Sequence, residues 1–170
     1  MQVLLHGNRH AARNGGVSPQ LVGRINALLS AEKNIGVIKR VYFFANDVYP
    51  DGSKASEYVW EQLTKVSFLP EQLTIEPIAN TTRGEVEAFV HQRVKKGCDG
   101  PVAAVTSFYH APRCRFLLRK AGCGAVTMIT ARSFGLVDLA CEIPKFALEC
   151  TPAGQRFKER FQSRPPEIAA

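Results

Sequence analysis

The sequence predicts a three-layer α/β domain with about five mostly parallel strands and helices on both faces. Two continuous apolar runs, Val41–Ala45 and Val102–Thr106, have the look of strands buried on both sides. Segments with apolar residues at helical spacing lie between the strand-like runs. Strand and helix alternate at least four times, which favours parallel pairing through crossover helices. The 170 residues are 45% hydrophobic, enough for one domain with a real core. Residues 1–163 read as that domain, and 164–170, with Pro165-Pro166, as a flexible tail.

Gln2–His6 reads as the first strand, and Gly7–Gly16 as a loop rich in Gly, Asn and Arg. Ser18 is a plausible N-cap with Pro19 at the first helical position, where its missing N–H had no intrahelical partner. Leu21, Val22, Ile25, Leu28 and Leu29 follow on one helical face. Val41–Ala45 is the second strand. The helix after it carries Ala55, Val59, Leu63 and Val66 on one side. Leu73–Ile78 is a weaker third strand, expected to be short because Pro77 interrupts it. Thr82-Arg83-Gly84-Glu85 matches a capping box that opens a helix through Val86, Phe89, Val90 and Val94. Val102–Thr106, the helix His110–Ala121 and the strand Ala125–Thr130 complete the alternation. Thr151-Pro152 starts a C-terminal helix bearing Phe157 and Phe161.

No apolar run reaches the length of a transmembrane helix, and no signal-like apolar region follows Met1. The expected compartment is the cytoplasm. The five cysteines, at 98, 114, 123, 141 and 150, include no C-x-x-C pair, so neither a disulfide framework nor a zinc site has supporting spacing. Cys114 and Cys141 read as small core side chains. The net charge of +7 fits a nucleic-acid surface, an anionic small-molecule site or simple solubility, so its distribution matters more than its size.

In folds of this class ligands lie outside the carboxyl ends of the strands. The loops there carry Asn8, Arg9, His10 and Arg13 after the first strand, and Asn46, Asp47 and Asp51 after the second. Asn80, Thr81 and Arg83 follow the third, Ser107, His110 and Arg113 the fourth, and Arg132 the fifth. Cations and hydroxyls crowd one edge, and the acids come from one loop. This is the pattern of a site for a phosphate or carboxylate. Lys39, Lys95, Lys96, Arg156 and Arg160 read as solvated faces.

His110 is the candidate general acid or base, with Asp47 the acid best placed to orient it or to hold a ligand hydroxyl. Arg113 offers a planar fork to a phosphate or carboxylate. Thr106 and Ser107 can donate to the same anion or cap the next helix, and Tyr109 can line the pocket. Ser107 and Arg113 also have the spacing of the cysteine-phosphatase loop with Ser in the nucleophile position. An alkoxide needs an activating base, however, and Pro112 removes one loop N–H.

Val105-Thr106-Ser107-Phe108-Tyr109-His110-Ala111-Pro112-Arg113 resembles the V-T-S-x-x-H-x-x-R hallmark of the YdcF/SanA/ElyC-like proteins. Asn80-Thr81 is similar to that family's N-T motif, Ser56-Glu57 to its S-E segment, and Arg24 lies near its helical Arg. The resemblance spans roughly residues 3–129. It implies a Rossmann-like fold and a site that includes Arg24. It also implies binding of S-adenosylmethionine, as in some members, or a role in polyprenyl-phosphate lipid processes, as in membrane-anchored ones. Lacking their membrane segments, this chain resembles a soluble, small-ligand version. The family's N-T-x-E-N continues here with Arg83 and Gly84, and its Gly-rich first turn is Gly7-Asn8-Arg9-His10. Both departures add positive charge and point to a more anionic ligand.

Three functions therefore compete. The first is an enzyme, a transferase or hydrolase, acting on a phosphorylated or nucleotide-like molecule. The second is a non-catalytic protein binding a nucleotide or S-adenosylmethionine. The third, a basic RNA-contacting module, has neither a motif nor an aromatic platform behind it. No G-x-G-x-x-G fingerprint marks a dinucleotide site. The sequence is silent on oligomeric state.

Overall fold

Strands β1 (Gln2–Leu5), β2 (Arg40–Ala45), β3 (Leu73–Ala79), β4 (Val102–Ser107) and β5 (Val126–Ala131) form one parallel sheet in the order β3-β2-β1-β4-β5. The computed structural model describes residues 1–7, 11–12, 14–32, 37–66, 68–132 and 136–151. The chain divides into two units, Met1–Phe134 and Gly135–Ala170. The first holds the sheet and helices α1 (Pro19–Glu32), α2 (Ala55–Val66), α3 (Thr82–Lys95) and α4 (Ala111–Lys120). The second holds α5 (Leu136–Cys150), a helix that the sequence pattern did not suggest and that carries Pro144 inside it. The C-terminal helix expected from Thr151 onward lies outside the described residues beyond its first position.

The three central strands β2, β1 and β4 are buried on both faces, and their side chains sort by the two-residue period of a strand. Val3, Leu5, Val41, Phe43, Ala103 and Val105 pack with Leu21, Ile25, Val59 and Leu63 of α1 and α2. Leu4, Tyr42, Phe44, Val102 and Ala104 pack with Val86, Phe89, Leu117 and Leu118 of α3 and α4. Two cores thus cover the two faces, giving the expected three layers. Val66 and Val94, expected on buried helix faces, are 58% and 76% exposed because each falls in the last turn of its helix.

Two local expectations are corrected. Leu73–Ala79 is the longest strand at seven residues, despite Pro77. It is an edge strand, and its register on β2 shifts between Phe43 and Ala45, so Pro77 falls where the ladder is already irregular. The cap of α3 is Thr81, not Thr82, and its hydroxyl accepts from Gly84 N at 3.1 Å. Glu85 is therefore not the reciprocal partner of a capping box and is turned into the protein.

The strand order places the functional edge. The chain moves outward from β1 to β2 and β3, then returns to the other side of β1 with β4 and β5. Connections reverse direction between β1 and β4, the place where folds of this class bind ligands at the carboxyl ends of the strands. Phe89 lies fully buried beneath this edge, its ring edge-on to Tyr42 at 5.1 Å. Phe89→Ala is expected to cost about 3–5 kcal/mol. Urea unfolding should show this as a lower midpoint with an unchanged slope.

Candidate functional site

The period of two continues past the hydrophobic strands and distributes the polar residues at their ends. In β1, Leu4 faces α3 and α4, and so does His6, two residues on. In β4, Thr106 shares that face, whereas Ser107 shares the α1 face with Val105.

On the α1 face, Arg24 is buried at 3% exposure. It donates from Nε and Nη2 to Ser107 Oγ at 3.2 and 3.1 Å, and from Nη1 to the His6 carbonyl at 3.1 Å and to the Gly7 carbonyl. Its fork thus binds the chain where β1 leaves the sheet and fixes Ser107 at the end of β4. A Cβ on Gly7 would overlap Ala45 Cβ and lie 2.6 Å from Asp47 Oδ2, so the chain passes here only as glycine. Asp47 is buried at 7% exposure on the other side of that passage.

On the α3 face, the Glu85 carboxylate takes His6 Nδ1 through Oε2 and the Gly7 N–H through Oε1 at 3.0 Å. The His6 ring stands edge-on to His110, with centroids 6.0 Å apart and planes at 88°. His110 ends the 3-10 turn Phe108–His110 and precedes α4. Its Nε2 lies 3.2 Å from the hydroxyl of Thr82, the first residue of α3. Cys114, in the first turn of α4, has no exposure, and its Sγ lies 3.9 Å from Thr106 Oγ1. Its burial is as expected, but the polar groups beside it make it more than core filler.

These groups reset one another's protonation. Burial alone would lower the pKa of His6, but Cys114 and Glu85 outweigh it and push it up to about 10. Burial would raise the Cys114 thiol, but His110 and then His6 bring it down to about 5. Glu85 is held below its ordinary value against burial by His6, the Gly7 N–H and Arg24. The shifts favour the carboxylate form of Glu85, the imidazolium form of His6 and the thiolate form of Cys114.

The remaining candidates spread from this centre. Arg113, in the first turn of α4, is 8% exposed. Tyr109 is half-buried with its ring edge-on to Phe108 at 5.6 Å. Asn80 and Thr81 are exposed at the start of α3, and Arg83 is half-buried on its first turn. Arg132 is exposed after β5. Asn8, Arg9, His10 and Arg13 lie outside the described residues. Among the described residues, no three His, Cys, Asp or Glu side chains converge as metal ligands would, and no helix is long and apolar enough to cross a membrane.

Sequence reasoning leaves Glu85 and Cys114 out of the site and offers His6 only as a further candidate histidine, beside His10 and His91. The period of two from Leu4 to His6 and the spacing Cys114, Leu117, Leu118 were the available signals.

The shifts fix how stability should depend on pH. His6 rises from 6.5 to about 10, so its contribution is complete below pH 6.5 and is lost as pH rises through 10. Cys114 falls from 9.0 to about 5, so its contribution is complete above pH 9 and is lost as pH falls through 5. Glu85, lowered from 4.5, adds a loss in acid below that value. Between pH 6.5 and 9 the slopes of His6 and Cys114 oppose each other. Unfolding midpoints in urea should be nearly level across that window and fall on either side. A steep slope inside it would contradict the coupling.

Comparison of the chain with family models, with curated proteins and with solved structures finds no match in any of the three.

Proposed function

We propose that this chain is an enzyme acting on a small anionic molecule, phosphorylated or nucleotide-like, bound at the carboxyl ends of β1 and β4, with His110 as its proton carrier. The observation that supports this best is the meeting of two helix N-termini. Thr82 opens α3, His110 precedes α4, and their side chains lie 3.2 Å apart. Each N-terminus presents the positive end of a helix dipole, typically worth about 0.3–1 kcal/mol toward an anion, although the Gly84 N–H is taken by Thr81 and the Ala111 N–H by the Phe108 carbonyl. Arg113 on the first turn of α4 adds a fixed positive charge beside them. Ser107, Thr81 and Asn80 supply hydroxyl and amide groups. Asp47 serves a ligand hydroxyl beside Gly7. Arg24 acts indirectly, by holding Ser107 and the exit of β1 in place.

We place the chain with the YdcF/SanA/ElyC-like proteins on the strength of residues 105–113, as a cytoplasmic form whose ligand is a nucleotide, a sugar phosphate or S-adenosylmethionine. The added cation at Arg83 favours the phosphorylated candidates.

A thermal-shift screen with nucleotides, sugar phosphates, inorganic phosphate and S-adenosylmethionine tests the reading. A ligand at a hundred times its Kd should stabilise by about 2.7 kcal/mol. The shift should disappear in Arg113→Ala. With the ligand found, His110→Ala should lower turnover by about 10²–10⁴ while binding stays within about tenfold. A small effect of His110→Ala on turnover, or an equal loss of binding and turnover, would favour a binding protein instead. A silent screen with folded protein would overturn the anion site.

A further inference from the structure

Proton transfer at His110 makes no use of the thiol beside it. Cys114 has no solvent exposure, yet one side of it is polar. Thr106 Oγ1 lies 3.9 Å from Sγ, and His6 and His110, which meet edge-on, both act on the thiol. Glu85 occupies His6 Nδ1, so Nε2 faces the other way. That nitrogen is buried, with His6 at 1% exposure, and has no hydrogen-bond partner. A thiol, an imidazole beside it and a carboxylate behind the imidazole are the parts of an activated nucleophile.

We propose that Glu85, His6 and Cys114 form a thiol centre that takes one oxygen atom from small hydroperoxides, with Cys114 Sγ as the site of modification. The groups facing the thiol favour its ionised form. His6 comes from the end of β1, His110 from the turn after β4 and Thr106 from β4, with Glu85 of α3 and Arg24 of α1 behind His6. The thiolate attacks the terminal peroxide oxygen, and an S–O bond forms as the O–O bond breaks. The departing hydroxide or alkoxide takes the proton of His6 Nε2 and leaves as water or alcohol. Sulfur is oxidised by two electrons to the sulfenic acid, the peroxide is reduced by two, and neutral His6 stays on Glu85. Complete burial selects the reagent class: a bulky ester or acyl group cannot reach Sγ, whereas an oxidant near the size of water can enter by local opening. The assignment shares His110 with the anion reading, because His110 also faces the thiol, but it needs neither Arg113 nor a bound anion.

The full chain carries its own controls, because Cys150 is exposed and Cys98 half-buried. At about pH 6 an ordinary thiol is roughly 0.3% thiolate. A thiol mostly ionised there gains about 300-fold in reactive form and loses part of that in intrinsic nucleophilicity, leaving roughly a tenfold advantage. The experiment is one equivalent of hydrogen peroxide on wild-type protein at about pH 6, then alkylation and peptide mass mapping. Cys114 should gain one oxygen faster than Cys150, by up to roughly tenfold, against the order of exposure. The ultraviolet thiolate absorbance of wild type minus Cys114→Ser should titrate in the acid range. Glu85→Gln should move that titration upward and slow the oxidation. If Glu85→Gln does not fold, the wild-type measurements decide alone. Oxidation of Cys150 and Cys98 with Cys114 intact, or a thiol titrating in the ordinary range, would overturn the proposal.

Discussion

The end of β1 is pinned from both faces of the sheet, and the carboxyl edge depends on that pinning. Where a strand leaves its sheet, its N–H and carbonyl groups lose their ladder partners and need others if buried. The His6 N–H still reaches Val105 O at 3.1 Å. Beyond it, Arg24 from α1 takes the carbonyls of His6 and Gly7, and Glu85 from α3 takes the Gly7 N–H. Two opposite charges from opposite layers thus satisfy one stretch of backbone. Neither acts as a bare buried ion, because each also binds a side chain of the site: Ser107 for Arg24 and His6 for Glu85. Gly7 is the hinge of the arrangement, as a Cβ would collide with Ala45 and Asp47.

That pinning separates two kinds of chemistry by the pleat of the sheet. Residues of odd number in β1 and β4 face α1, and there the polar group is Ser107, held by a guanidinium. Residues of even number face α3 and α4, and there lie His6, Thr106 and, on the helix, Cys114. The acid–base groups therefore share one layer, and Arg24 and Ser107 lie in the other. The α3 crossover completes the first layer. It runs from the edge strand β3 back toward β4, so its start meets His110 although β3 itself is three places from β4 in the sheet.

Much of the architecture was legible because it rests on local patterns. Strand burial, the two-residue period, Pro19 at a helix start and the alternation of elements can all be read along the chain. The site was legible only as far as one segment carried it, the stretch from Thr106 to Arg113. Its other members join through sheet order, which no local pattern contains. Glu85 stands three residues after a threonine and so mimics a capping box, but Thr81 performs the cap and frees Glu85 to turn inward. Cys114 follows Arg113 and precedes a hydrophobic helical face, so it reads as packing until His6 is brought across from a different strand. Arg24 enters the expected site only through the family resemblance, and the carbonyls it binds are invisible in sequence.

The polar groups in this layer differ in whether the fold needs them. Glu85 and Arg24 satisfy backbone groups that would otherwise be stranded, so removing either leaves a buried unpaired donor or acceptor, at about 1–3 kcal/mol for each such group. Thr81 likewise caps α3. His110 stands at the equivalent position before α4 but makes no side-chain capping bond, and its ring is directed to Thr82 instead. Cys114 satisfies no backbone group in the contacts described above. Buried ionisable groups can often be replaced by apolar side chains of similar size at little cost, or with a gain in stability. His110 and Cys114 are bound into the cluster through side chains in the contacts described above. They lie against the same imidazole, where two helices begin and the sheet reverses its order. The chemistry of this protein is best sought at that imidazole, between the ring of His110 on one side and a thiol on the other.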